Sequence, residues 1–450
     1  MGEQRPTLRV EAVASDKSRD PTYRETSVSA LSIPSFRLLF LSRMVSSAGF
    51  WMDQVATGWL ALEVGGDPRA VGTVLALRLL PFLLFGIVAG TVADRFPRRT
   101  ILLAVGALAA LLAVVMSAIA SSSSVQLWEI ALIGFVSGSV MVFDFPTRTA
   151  FAVDLVGRER LAQGVALTAV GFYLFAALGA FAGGQAIPRL GVGGAYLVVA
   201  ACHLGGLGLV ALIRGAPPRV GQREAPARFA SAVGGAARLI WQNPAVRMVI
   251  ISSLVVELFG YSYQTAVPPL ARDVLHVGPT GLGTLSAGAS VGATIAVVLL
   301  ALMPATVRRQ PVLTGVIVAW GVGQVALGSA PSFLPALLAM MLCGACASAV
   351  DTLQQTLVQL AVPEEQRGRA MGVWVFSIGT NAFGYYQVGL VATALTPALA
   401  LGLNGGLAAL FALLIFALAP TYRWRLGSVA PVSPSAEPPT ELPHTRSLPP

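Results

Sequence analysis

Gly90-Thr91-Val92-Ala93-Asp94-Arg95-Phe96-Pro97-Arg98-Arg99 separates two apolar runs, Ala70 to Ala89 and Thr100 to Ala120. Each run is about 20 residues long, and a helix of that length crosses a hydrocarbon core of ~30 Å. A connection this short makes the two helices antiparallel neighbours, and Gly90 lets them approach closely. It also gathers Asp94, Arg95, Arg98 and Arg99 at one membrane face. The arginines assign that face to the cytoplasm.

Composition extends this to the whole chain. Of 450 residues, 55% are hydrophobic and 11% charged, against about 25% charged in soluble domains. The chain is therefore an integral membrane protein, with the lipid bilayer as its surroundings. Met1 to Pro34 is polar and has no apolar core of the signal-peptide kind, so insertion is expected to start at the first span. A net charge of +9 raises nucleic-acid binding as a possibility. Only Lys17 is a lysine, however, and the arginines sit in short loops between spans. That distribution reads as topology, and no nucleic-acid partner is expected.

Twelve apolar segments are expected, at 36–64, 70–92, 100–120, 127–147, 161–185, 191–213, 246–272, 280–303, 311–330, 332–358, 370–394 and 396–419. They divide the chain into a disordered cytoplasmic arm (1–35), a six-helix bundle (36–213), a cytoplasmic linker (214–245), a second six-helix bundle (246–419) and a disordered cytoplasmic tail (420–450). Phe229 to Trp241 is a candidate amphipathic helix within the linker. With both termini on one side, nearly all the arginines fall on that side, and only Arg69, Arg189 and Arg272 face the other. The asymmetry puts both termini in the cytoplasm of a plasma (inner) membrane protein.

The two bundles repeat one another. Aligning Phe36-Arg37-Leu38 with Val246-Arg247-Met248 sets Ser42 on Ser252 and Gln54 on Gln264. Farther on, Arg98-Arg99 meets Arg308-Arg309, Asp144 meets Asp351, and Arg160 meets Arg367. Chance matches between apolar stretches supply Leu and Ala, not Arg, Gln and Asp in register. Two parallel six-helix repeats with a substrate site between them form a transporter architecture.

Polar residues in hydrocarbon are costly and should face a cavity. Span one carries Arg43, Asp53 and Gln54; span two carries Arg78; span seven carries Glu257, Tyr261 and Gln264; span eleven carries Asn381 and Gln387. These are the candidate cavity residues. Spans three, six, nine and twelve are the least polar and are expected to face lipid. His203 on span six reads as packing. Cys343-Gly-Ala-Cys346 has the spacing of a redox or metal pair but lacks a second pair or a nearby His. It too reads as packing, and neither a metal site nor a catalytic constellation is expected. No G-x-x-x-x-G-K-[ST] loop is present, so energy should come from an ion gradient rather than a bound nucleotide.

The opening stretch, G-x-x-x-D-R-x-x-R-R, resembles the loop between helices 2 and 3 of the major facilitator superfamily. Phe36-Arg-Leu-Leu-Phe40, Trp51-Met52, Asp144-Phe-Pro146, Arg158-Glu-Arg-Leu-Ala162 and Pro363-Glu-Glu-Gln-Arg-Gly-Arg-Ala-Met371 resemble its drug and siderophore exporter branch, the enterobactin-exporter-like, transmembrane secretion effector type. The resemblance covers residues 36–419 and implies an all-α membrane protein of the major facilitator fold, with twelve helices in two six-helix pseudo-repeats. Gly179-Ala-Phe-Ala-Gly183-Gly184 resembles the G-P-x-x-G-G element of proton-coupled antiporters, with Ala180 in place of the proline. The small residues would pack helices five and eight tightly.

The function expected is export of a hydrophobic or amphipathic small molecule, a drug or siderophore, by alternating access and proton antiport. Asp53 and Glu257 are the candidate proton carriers, because a dry cavity favours the neutral form of an isolated carboxyl. Alternatively, Asp53 forms a permanent ion pair with Arg78 or Arg43. A conformational latch is expected from Gly90, Asp94, Arg95, Arg367 and Arg369 and from two pairs, Arg98 with Asp144 and Arg308 with Asp351. The proton gradient is the energy source, no bound cofactor is needed, and the protein is expected to be a monomer. Import or uniport of a metabolite is the alternative transport function. A non-transporting receptor would have no use for duplicated switch pairs, and an intramembrane enzyme would need a nucleophile–base pair that the sequence lacks.

Overall fold

The computed structural model describes residues 30–156, 161–214, 238–304, 306–363 and 366–418, with the helix backbone alone at 87–91, 93–95, 161–163, 165–166 and 367–369. The described residues are helical, with no strand among them. The first four helices are α1 (Pro34–Gly65), α2 (Pro68–Arg95), α3 (Arg98–Ala120) and α4 (Leu127–Val156). A continuous run, Leu161–Ala211, turns at Gly191, whose φ of 72° is open only to a residue without a Cβ. It therefore forms two passes, α5 (161–190) and α6 (192–211). The second half contains α7 (Pro244–Val274), α8 (Gly278–Ala301), α9 (Arg309–Gly328), α10 (Phe333–Leu360), α11 (367–394) and α12 (Pro397–Leu418).

Among the described residues nine helices are long and apolar enough to cross a membrane, one of them the α5–α6 run that crosses twice. The two others are α1, which carries Arg43 and Asp53, and α11, which breaks between Ile378 and Asn381. The twelve passes expected from the sequence are thus present.

Local chemistry sets the ends. The Asp67 side chain caps α2 by accepting from the Ala70 N–H at 2.9 Å, with Pro68 in the first turn. Asn243 caps α7 by accepting from Ala245 and Val246, and its amide donates to the Ala361 carbonyl at 2.7 Å. Of the candidate amphipathic helix, 229–237 lies outside the described residues, whereas 238–242 is helical with Trp241 exposed.

Within the first half α1 packs on α5, α2 on α4, and α3 on α6. The second half repeats this with α10 on α8 and α9 on α12. The halves meet along two seams, α5 against α8 and α2 against α11. Exposed leucines and valines line α3 (Leu108, Leu111, Val114), α6 (Leu197, Leu204), α9 (Val322, Val325) and α12 (Leu403, Leu410, Leu413), as a lipid-facing surface requires. α5 and α8 add Leu174, Leu178, Ile295 and Leu299 to that surface.

α7 departs from the uniform helix that its apolar run predicts. It widens to π geometry at Val256–Gly260, tightens to 3-10 at Tyr261–Thr265, and widens again at Leu270–Val274. Irregular turns inside a bilayer leave carbonyls that the protein must satisfy. Gln324 of α9 does so, its Nε2 donating to the Phe259 and Gly260 carbonyls at 3.1 and 3.2 Å.

Candidate functional site

The polar residues of the first half form one network around a cavity of about 120 Å³. Arg78 of α2 pairs with Asp53 of α1. Thr57, one turn beyond Asp53, donates to its Oδ1 at 3.0 Å and lies 2.8 Å from the Tyr196 hydroxyl of α6. Deeper toward the arginine-rich loops, Asp144 of α4 accepts from Arg148 one turn on (2.8 Å) and from Arg43 of α1 (3.2 Å). Arg148 also donates to Ser42, which donates to the Gly206 carbonyl of α6. The Arg43 and Arg78 guanidinium groups lie 4.6 and 5.2 Å from the ring centres of Phe172 and Phe50. In this network two guanidinium groups share Asp144 and one holds Asp53, so the first half carries a formal surplus of one positive charge.

The second half has the opposite character. Glu257, on the π turn of α7, is 2% exposed, and its Oε2 has no protein donor. Asn381 of α11 lies beside it. The Tyr261 hydroxyl, beside Asp351 of α10, donates to the Ala347 carbonyl at 3.2 Å, and no ion pair among the described residues reaches Asp351 or Glu257.

Between the halves lie two further spaces, of about 220 and 210 Å³, which share Trp51, Gln54, Tyr261, Gln264, Phe172 and Asp351. Arg78, Glu257 and Asn381 line the second of them. Arg43 and Asp53 stay on the first-half cavity. Gln387 lines neither of the two central spaces, and its Oε1 is buried without a partner. Gln54 donates to Gln264 at 3.4 Å, so the pair matched by the internal repeat meets across the middle.

Among the described residues, hydrogen bonds between the halves concentrate at the face opposite the arginine-rich loops. Arg272 at the end of α7 donates to the Leu62 and Gly66 carbonyls that end α1, at 3.2 and 3.1 Å. The Arg69 N–H donates to Thr393 of α11 at 2.9 Å, and Thr280 of α8 donates to the Gly184 carbonyl at 3.4 Å. At this end backbones nearly touch. A Cβ on Gly184 would lie 2.7 Å from Gly283 Cα, and one on Gly72 2.7 Å from the Tyr385 carbonyl. Gly184 therefore joins α5 to α8, whereas Gly179 and Gly183 pack on Ala48 and Met52 of α1.

The two expected latch pairs are not made in this structure. Arg98 pairs with Asp154 and donates to the Ala150 carbonyl at 2.8 Å, not to Asp144. The helix continues to Val156, so Asp154 lies ten residues nearer its end than Asp144, which is ~15 Å along the axis. Arg148, placed in a loop by the sequence, belongs to the same helix and is buried. Arg308 immediately precedes α9 and makes no ion pair with Asp351, which faces the central cavity instead. The side chains of Gly90, Asp94, Arg95, Arg367 and Arg369 lie outside the described residues, as do Arg158 and Arg160 entirely.

Three further residues line these cavities that the polar pattern of the sequence does not place there. His203 and Tyr196 line the first-half cavity from α6, together with Val199. Their spacing, 196, 199 and 203, follows one helix face and was the available signal. A peripheral helix can face lipid on one side and a cavity on the other. Tyr173 on α5, next to Phe172, lines the central space as well.

Comparison with known proteins places this geometry in a family. Residues 25–445 match the transmembrane secretion effector family. The chain is 25% identical over 368 residues to the multidrug efflux pump Tap of Mycolicibacterium fortuitum, covering 79% of this chain and 87% of that protein. It is 24% identical over 398 residues to the enterobactin exporter EntS of Citrobacter koseri, covering 87% and 94%. Among solved structures, the nucleoside transporter NupG superposes with a TM-score of 0.70 at 12% identity, over 87% of this chain and all of that one (100%). The POT family transporter PepTSo gives 0.67 at 12% identity, over 87% and 98%. At such identities the structures speak for the fold alone. With the family match spanning nearly the whole chain, the protein is a multi-pass membrane transporter, not an enzyme, and belongs to the transmembrane secretion effector family of the major facilitator superfamily.

Proposed function

We propose that this transporter exports hydrophobic or amphipathic small molecules from the cytoplasm across the plasma membrane, by alternating access and in exchange for protons. The observation that carries the proposal is Glu257, a buried carboxylate with an unpartnered oxygen on a broken helix at the wall of the central cavity. A protein that moves a proton needs a carboxyl that can be reached and is not committed to a cation. Asp53 takes the second place in the coupling path. It gives up Arg78 when it takes a proton, and Arg78 reaches the same cavity.

Alternating access is supported by where the halves touch. Among the described residues their hydrogen bonds cluster at the face carrying Arg69 and Arg272, which the arginine distribution assigns to the outside. This arrangement corresponds to a state closed on the outside. Export, rather than import, is supported by the names of the relatives. Inside-out vesicles containing the protein test it directly. ΔpH-driven accumulation of at least one compound from a panel of drugs and siderophores, collapsed by a protonophore, is the expected result. Accumulation indifferent to the protonophore would remove proton coupling.

A further inference from the structure

We infer that the central cavity takes a lipophilic organic cation carrying N–H donors on an aromatic body, with Glu257 and Asp351 as its counter-ions. The inference rests on the transport function proposed for this cavity and names its substrate class.

Charge comes first. On the first-half wall every guanidinium has a carboxylate: Arg78 has Asp53, and Arg43 and Arg148 share Asp144. Among the described residues Arg78 is the one Arg, Lys or His lining the two central spaces, and here it is paired with Asp53. On the opposite wall Glu257 and Asp351 face one another across the cavity with no cation among the described residues paired to either, Asn381 beside the first and Tyr261 beside the second. An anion entering here would find no uncommitted cation to pair with, and an unpaired charge is costly to bury, whereas a cation would find two carboxyl groups that can ionise against it.

The unsatisfied atoms point the same way. Glu257 Oε2 and Asn381 Oδ1 are buried acceptors without a protein donor, side by side on one wall. Buried acceptors call for donors, and a substrate N–H can bond to both. The walls add flat apolar surface. Trp51 and Tyr261 line both spaces, and Tyr385 lines the one with Glu257. Aromatic faces bind both the body of such a molecule and its charge.

The test is equilibrium binding to the purified full-length protein in nanodiscs at fixed pH, read by fluorescence anisotropy. The probes are rhodamine 6G and fluorescein, which share a xanthene frame and differ in the sign of charge. Rhodamine 6G is expected to bind at least about tenfold more tightly than fluorescein. Glu257→Gln and Asp351→Asn are each expected to weaken rhodamine 6G by about tenfold or more, with fluorescein unchanged or improved. Fluorescein binding as tightly as rhodamine 6G, or no measurable rhodamine 6G binding, overturns the inference. So does an affinity within about twofold of wild type in both variants, provided they elute as monodisperse protein. The wild-type dye pair alone decides the sign of the charge, so a variant that fails to fold does not remove the test. No gradient is present, so loss of proton coupling would leave this result standing. Coupled export with anion binding would overturn this inference alone.

Discussion

Replacing Arg272 by Ala should open the outer face of the cavity. The Arg272 guanidinium donates to the Leu62 and Gly66 carbonyls, at 3.2 and 3.1 Å, where α1 ends and its dipole is negative. It is therefore a contact between halves that exists only when this face is closed. A hydrogen bond to a charged group contributes ~1.5–3 kcal/mol when buried. Here the side chain is 31% exposed and shared with Asp273 at 2.6 Å. We therefore discount each bond to ~0.5–1 kcal/mol, or ~1–2 kcal/mol for the two. That shifts the ratio of outward-open to outward-closed forms by ~5–30-fold, since 1.4 kcal/mol is about tenfold. The assay uses Ser286→Cys, which lies on the cavity wall, in a background without Cys202, Cys343 and Cys346. A membrane-impermeant maleimide is added from the outer side. Labelling should accelerate ~5–30-fold in Arg272→Ala and by less in Arg272→Lys, which keeps the charge but not the fork. A rate within about twofold of the parent, in well-folded protein, would refute the idea that this contact holds the face shut.

Two further predictions concern packing and charge. Gly283→Leu should lower the unfolding temperature and the monodisperse yield, because even a Cβ would lie 2.6 Å from Gly184 Cα and the Ala180 carbonyl and overpacking costs ~1–3 kcal/mol; Gly402→Leu, with nothing within 4 Å of its Cβ, should be silent by the same melting assay. Arg78→Met should destabilise by ~3–5 kcal/mol by leaving the Asp53 carboxylate without its cation, and adding Asp53→Asn should restore most of the loss in a double-mutant cycle of thermal unfolding.

Much of the architecture is legible in the sequence because hydropathy and charge act on whole segments. The loop of Arg98-Arg99 and its echo at Arg308-Arg309 define the two halves, and both pairs stand at helix starts. The repeat also aligns Gln54 with Gln264, which meet in space. What sequence patterning misses depends on partners and on helix length. Asp144 and Asp154 are both acids on α4, and which of them Arg98 reaches depends on where that helix ends. A boundary placed after residue 147 hides Asp154 and turns Arg148 into a loop residue. The irregular turns of α7 are hidden because an apolar run has the same composition whether α, π or 3-10. Only Gln324 on another helix reveals where the carbonyls are released. That His203 lines a cavity is hidden because an average over α6 conceals one polar face. The asymmetry of charge between the halves is equally hidden, since it arises from which acids have arginine partners and not from how many there are.

The most direct measurement is substrate-driven proton flux in proteoliposomes, for wild type, Asp53→Asn and Glu257→Gln, with each variant at saturating substrate. Coupling through the buried carboxyls predicts proton movement on substrate addition in the wild type and its loss in both variants, with any remaining substrate movement running downhill only. Wild-type proton flux retained in both variants would contradict it, and would leave a transporter whose carboxyl groups serve binding alone.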